Sequence, residues 1–328
     1  MQTIATTASA SDSASEAARL AKLLDYQILD TAPEQEFDEV TEIAAKLLGT
    51  PISLVSLIDK DRQWFKARYG LGAAETPRDQ AFCDHAIKAD DLYIVNNAAE
   101  DPLFAANPLV TGHPNIRFYA GAPLITPDKF RLGTLCVIDT APREGLAEEA
   151  QRILTLLAKM VVNQMESRRN TVRAKHQARM MSQLAEHTVA LAQAKDMAQL
   201  AALLTDSARR MVVADAAVLR AGEQVTAATR EGMSGEPPPA LPWRERSAAL
   251  RARKTLKPAT LKDLPAPENA VIKGAWMGFL LGLDAQNPRG DFQMWRQFTT
   301  SFTDMETAML TDLVRVAGAV AERLPGGR

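Results

Sequence analysis

The chain has 328 residues, 46% hydrophobic and 24% charged, with a formal net charge of -2. That length exceeds one ordinary core and implies two domains, and the absence of a basic stripe excludes a phosphate-tracking nucleic-acid surface. Cysteine occurs only as Cys83 and Cys136, so no disulfide framework is present and a reducing compartment fits.

MQTIATTASASDSASEAARL has neither a basic n-region nor an apolar h-region, so residues 1–14 read as a disordered tail, not a secretory signal. No apolar run approaches the roughly 20 residues of a bilayer span. A cytoplasmic protein with no membrane span is expected. Ser15 to Leu24 has helical spacing and a Ser cap. Asp30 or Thr31 caps a second helix that carries Phe37, Val40, Ile43, Ala44 and Leu47 on one side and ends at Gly49. Pro51 opens the strand ISLVSLID. RQWFKARYG is a second strand after the polar turn Asp59 to Asp61. Thr76 to Lys88 reads as helix after Thr76-Pro77, and LYIVNNA as a third strand. DPLFAANPLVTGHPN is loop and short helix, broken by Pro102, Pro108 and Pro114. RFYAGAPLIT and RLGTLCVID form a hairpin that turns near Pro127 to Lys129.

From Gly145 to about Met181 helix formers dominate. Ile153, Leu157, Met160 and Val161 make this a connector helix that could pair with a second copy, though the heptad breaks at Gln164 and Ser167. The second half repeats the plan. Leu191 to Val213 is helical, AAVLRAG and QVTAATREGM are strands, and EPPPALPW is loop. Arg244 to Arg253 is a short helix, LKPATLKDL a strand and its exit, and GAWMGFLLGLDA the clearest strand. FTDMETAMLTDLVRVAGAVAERL closes the chain as an amphipathic helix, with Thr303 or Asp304 as cap and Glu306 in its first turn.

Arg62 to Ile87 and Ile116 to Leu124 mix Trp, Phe, Tyr, Cys and His with Arg and Asp instead of segregating them by face. Such a mixture fits a pocket lining, apolar with a few convergent polar groups. Trp64 and Phe65 fall on opposite strand faces, so one packs in the core and the other faces the pocket or the terminal helices. Alternation puts Arg117 and Tyr119 together, offering a forked donor and a phenol to an anionic or polar ligand. Arg78, after a Pro-fixed turn, is the other polar anchor. For both arginines the alternative is a structural pair with an aspartate. Cys83 and His85, at i and i+2 of a helix, share no face and make a poor metal site. Cys83 reads either as a buried small hydrophobe or as a redox centre, and Cys136 as packing. His85 suits a hydrogen-bonded, semi-buried position, or a ligand carboxylate or phosphate. Asn107 suits loop fastening or the ligand.

YQILDTAPEQEFDEV, PISLVSLIDKDRQWFKARYGL, ETPRDQAFCDHAI, DPLFAANPLV, IRFYAGAPL and LGTLCVIDTAPR resemble, in that order, a bacterial GAF sensor-domain subfamily found fused to histidine kinases and cyclic-di-GMP enzymes. The second half resembles a divergent GAF domain only in its order of elements. The resemblance implies an α+β chain of two GAF-like domains, each an antiparallel sheet flanked by helices. The expected domains are 15–157 and 188–328, with a long connector helix over 158–187. A small-molecule pocket lies under loops on the sheet face away from the helices, and terminal helices form a dimer bundle. Trp64, Arg78, Cys83, His85, Asn107, Arg117 and Tyr119 are the candidate ligand-binding residues. The cofactor is unknown. Bilin attachment in such domains uses a cysteine between the third and fourth strands, and Cys83 precedes the third strand as counted here, so neither bilin nor haem is supported by motif position.

No Gly-rich phosphate loop, nucleophile elbow, kinase, cyclase or phosphodiesterase motif occurs, and His176 and His187 lack phospho-acceptor surroundings. The expectation is a sensor without catalysis that binds a small molecule and conveys occupancy through helices to a homodimer or partner. The alternatives are a thiol-based redox sensor, or methionine sulfoxide reductase-like enzyme, using Cys83, and a regulatory subunit of a separate histidine kinase or diguanylate cyclase.

Overall fold

The computed structural model describes residues 10–221, 224–229, 243–263, 274–296 and 301–324. Residues 1–9 of the expected tail, and EPPPALPW up to Trp243, lie outside them. The chain divides into two compact units between Ala174 and Lys175.

The first unit contains α1 (Ala10–Asp25), α2 (Gln35–Leu48), β1 (Ile52–Ile58), β2 (Arg62–Tyr69), β3 (Glu75–Pro77) and α3 (Phe82–Ala86). It continues with β4 (Tyr93–Val95), α4 (Pro108–Thr111), β5 (Phe118–Ile125), β6 (Arg131–Asp139) and α5 (Glu148–Ala192), the last up to Ala174. Its six strands form an antiparallel sheet in the order β3-β2-β1-β6-β5-β4. β1 is central and buried throughout, which is why ISLVSLI is apolar at nearly every position. Its side chains divide by parity. Val55 and Leu57 join the core under α1, α2 and α5, while Ile52, Leu54 and Ile58 join the core on the other face.

Three sequence expectations need correction here. Thr76 to Lys88 is not one helix but β3, a 3-10 turn over Arg78–Gln80, and α3. Pairing of Gln63 with Thr76 draws the segment onto the edge of β2, and Arg78 N–H donates to Asp61 C=O, so the backbone is committed before a helix can start. The cap of α2 is Glu34, not Asp30 or Thr31. Asp30 sits in the left-handed region, Thr31 turns its hydroxyl to Ile28 C=O, and the Glu34 carboxylate is used elsewhere. Finally, α2 buries Phe37, Thr41, Ala44, Ala45 and Leu48, while Ile43 and Leu47 are 44% and 61% exposed. The contact stripe is narrower than the apolar set and is centred on Phe37 and Ala44.

The second unit contains the rest of α5, then α6 (Met197–Met211), β7 (Ala216–Ala221), β8 (Gln224–Thr229) and α7 (Trp243–Ala252). β9 (Ala259–Thr260), β10 (Ala275–Leu281), β11 (Gly290–Arg296) and α8 (Asp304–Arg323) follow. α6 starts later than Leu191 because Asp196 caps it, its side chain accepting from Gln199 N–H. Thr303 and Glu306 form the reciprocal capping box of α8. β11 had no counterpart in the sequence reading. Its Asp291 and Gln293 obscure the strand pattern because they point into a buried polar network with Ser247, while Phe292 and Met294 face the core beneath α6 and α8. The sheet order is β8-β7-β11-β10-β9, antiparallel throughout. By chain position this is the order β2-β1-β6-β5-β4 of the first unit.

One polar hub ties the first unit together. The Lys66 side chain on β2 is fully buried and donates to Glu34 at 2.6 Å, to Ala32 C=O at 2.7 Å and to Thr31 at 2.9 Å. Arg168 on α5 donates to the same Glu34 carboxylate at 2.8 Å and to Tyr26 and Gln27 carbonyls. Burial raises the Glu34 carboxyl pKa, but the Lys66 and Arg168 hydrogen bonds outweigh it and hold the pKa below its ordinary value. This contribution is therefore present above the ordinary carboxylate pKa and is lost as pH falls through the lowered one. Lys66→Met should lower the unfolding free energy by about 2 kcal/mol in a urea titration, because it removes the donor to the Ala32 carbonyl and one of the two cations on Glu34. An unchanged urea midpoint would contradict the hub's role.

Candidate functional site

The sheet face away from α2 and α5 is covered by α3, α4 and loops, and these do not fill it. A cavity of about 260 Å³ remains between sheet and loops. Ile52 and Leu54 of β1, Phe65 of β2 and Ile138 of β6 line it from the sheet, and Phe82 and Leu109 from the cover. His113 lies exposed beside the cover and contributes to the lining. No Asp, Glu, Lys or Arg occurs among the described lining residues.

The cover is held by specific fasteners. Phe82 stacks on Phe104 with centroids 3.9 Å apart and lies 5.3 Å from the Tyr119 ring. Asn107 caps α4 by accepting from Leu109 N–H at 2.9 Å and donates to Gln80 C=O at 3.0 Å. Arg117 donates to Val110 and Ile116 carbonyls, each at 3.0 Å. Arg78 donates to Asp84 at 2.8 Å, Glu16 at 2.6 Å and Asp59 C=O at 3.0 Å. The Arg19 and Arg78 guanidiniums hold the Glu16 carboxyl down to about 2, against the opposing effect of burial.

Of the seven candidate residues, Cys83 and Tyr119 line the cavity. Trp64 points into the helix-side core, so β2 presents Phe65 to the cavity instead. His85 sits behind the lining, edge-on to Phe104 at 5.1 Å, and burial lowers its pKa. Arg78, Asn107 and Arg117 are fasteners, with their donors turned to carboxylates and backbone carbonyls. Arg117 and Tyr119 do not act as a pair, because Arg117 precedes β5 and turns its guanidinium to the cover. Sequence reasoning missed Gln63 and Thr76, a cross-strand pair whose side chains both reach the cavity. The available signal was the alternation of Gln63 with Phe65.

The floor of the cavity is a sulfur cluster. Cys83 and Cys136 are buried free thiols with sulfurs 3.9 Å apart. Tyr119 Oη–H donates to Cys83 Sγ at 3.2 Å, and Thr134 Oγ1–H at 3.0 Å. Gly121 permits this, since a Cβ there would fall 2.2 Å from the Tyr119 hydroxyl. Burial raises the Cys83 pKa, but the Cys136, Thr134 and Tyr119 donors converging on its sulfur outweigh it and lower the pKa to about 7. Cys136 is pushed up, first by its contact with Cys83 and then by burial. Tyr119 is raised by burial and by the Cys83 charge. Counting the short β3 puts Cys83 between the third and fourth strands, so strand order does not argue against a bilin as the sequence reading held. Among the described residues no cluster of His, Cys, Asp and Glu could hold a metal ion, and no helix is long and apolar enough to cross a membrane.

The model of the GAF domain family matches residues 32–165. A cyclic di-GMP phosphodiesterase of Pseudomonas aeruginosa is 42% identical over 144 residues, covering 44% of this chain and 24% of its own length. The chain thus spans about a quarter of that relative. The crystal structure of a bacteriophytochrome from the photosynthetic bacterium R. palustris aligns over 99% of this chain and 78% of its own, at 12% identity and a TM-score of 0.47.

The donor cluster around Cys83 makes a measurable prediction. Alkylation of Cys83, followed by peptide mass mapping against pH, should rise through a midpoint near 7. A midpoint at or above the ordinary thiol value of about 8.5 would contradict it.

Proposed function

Residues 32–165 are a GAF domain, and we propose that it is the sensing unit of a signalling protein, binding a small molecule in the cavity between sheet and loops. The observation that carries this reading is the apolar cavity itself, about 260 Å³, with a few polar groups among its walls. The domain acts by binding, not turnover. Occupancy is conveyed along β2, which carries Gln63 and Phe65 into the cavity and Lys66 onto the opposite face. Lys66 meets Glu34, which also receives Arg168 of α5, so a displaced β2 changes what holds the helix. The receiver is a second copy of the chain or an output protein such as a kinase or cyclase. Exposed Leu156 and Met160 on α5, with Ile43 and Leu47 on α2, support a homodimer. The sequence shared with a cyclic di-GMP phosphodiesterase supports an output in that kind of signalling.

The second unit is read as a divergent GAF-like domain. Support comes from its strand order, which repeats that of the first unit without the β3 edge. On its α7 face Trp276 lies over Gly278 against Leu250, where a Gly278 Cβ would fall 2.5 Å from the indole.

Native mass spectrometry of protein purified from its own host should show a retained small molecule, lost in Ile116→Phe, which narrows the cavity. A bare polypeptide mass in a preparation that is otherwise folded would sink the reading.

The contact between Cys83 and Cys136 favours a second reading, a thiol redox sensor. Hydrogen peroxide would oxidise the Cys83 thiolate to a sulfenic acid, releasing one water after proton uptake. Attack by the Cys136 sulfur would then form the disulfide and release a second water. Peroxide should therefore remove both free thiols together, and only in protein with both cysteines. Two titratable thiols persisting after peroxide treatment would end this reading.

A further inference from the structure

Resting on the sensor reading of the cavity, we infer the chemical class of its ligand: a small neutral molecule with an apolar body and a hydrogen-bond donor that meets Gln63 Oε1 and Thr76 Oγ1.

Two observations carry this. The first is an unmet polar pair. Gln63 is 5% exposed, yet its Oε1 atom is buried without a hydrogen-bond partner in the protein, and so is Thr76 Oγ1. The two residues face each other across β2 and β3 and share the cavity side of the sheet. A buried polar atom left unpaired costs stability, and most in native proteins are satisfied. Both residues line the cavity, so a ligand that draws these side chains toward it can supply the missing partner. Gln63 Oε1 only accepts, so the ligand must donate to it. Thr76 Oγ1 accepts or donates and can take the other edge of the same group.

The second is charge. The arginines nearest the cover are spent on Glu16, Asp84 and backbone carbonyls, and no Asp, Glu, Lys or Arg is among the described lining residues. A carboxylate placed here would be desolvated with no Lys or Arg among the described lining residues to pair with it. The remaining walls, Leu54, Phe65, Phe82 and Ile116, reward an apolar or aromatic body. The volume, below the usual span of about 300–1,000 Å³ for drug-sized ligands, limits that body to about one ring.

Three probes of nearly one shape test this class: benzamide, neutral with donors; acetophenone, neutral without a donor; and benzoate, anionic. Binding to the full chain is followed by methyl shifts of Ile52, Leu54 and Ile116, which also locate the probe. Benzamide should bind at least about tenfold more tightly than acetophenone or benzoate. Gln63→Leu should bring benzamide and acetophenone within a small factor of each other, and Thr76→Val, on the edge strand, should reduce the preference in the same direction. Equal binding of benzamide and acetophenone to the wild type overturns the inferred donor while leaving a ligand cavity in place. Tightest binding by benzoate overturns neutrality. Shifts from none of the three overturn the inferred class, whereas the sensor reading is judged separately by the retained mass from the host.

Discussion

The Glu34 carboxylate accepts from a lysine on the sheet and an arginine on the long helix, and the arrangement of the first unit follows from it. Lys66 could not remain buried on β2 without that partner, because an unpaired ammonium in the core would be neutralised or expelled. Arg168 fixes α5 against the turn after α1 through the Tyr26 and Gln27 carbonyls and shares the same Glu34 oxygen with Lys66. The block DTAPE thus supplies no conventional helix cap. It is a connection between layers, and α2 starts with its capping side chain committed elsewhere.

The sheet carries two unlike faces as a consequence. One packs against α1, α2 and α5 around Phe37, Leu57, Leu135 and Val161. The other is covered by α3, α4 and loops that follow ring stacking, an Asn cap and arginine clasps. Such a cover is rigid at its fasteners and imperfect between them. The cavity is that imperfection, walled mainly by apolar side chains, with the Cys83 thiol in its lining and Cys136 in contact with that thiol. The arginines that a reader of the sequence would assign to a ligand are what keep the cover in place.

The second unit has the same strand order without the β3 edge, and its described residues pack differently beside α7. Trp276, Leu250 and Trp295 cluster there, and Ser247, Asp291 and Gln293 satisfy one another.

Sequence alone determined the family resemblance of the first unit, the mixed helix-and-sheet class, and most strands, because the short apolar run ISLVSLI and the RFYAGAPLIT/RLGTLCVID hairpin are local patterns of the chain. It also determined Gly49 as a helix end and placed the start of the last helix at Thr303 or Asp304, since each depends on only a few neighbouring residues; the structure chose Thr303. Tertiary structure decided whatever depended on a partner distant in the chain. β11 was hidden because Asp291 and Gln293 are polar inside, satisfied by Ser247 more than forty positions earlier. Thr76 to Lys88 became strand and turn because β2 competed for its backbone. Trp64 and Phe65 were known to oppose each other, but only the layers assigned the tryptophan to the helices and the phenylalanine to the cavity. The pairing of Cys83 with Cys136 across 53 positions, and the joint exposure of Gln63 and Thr76 to the cavity, arise from the registration of strands, which no local pattern encodes.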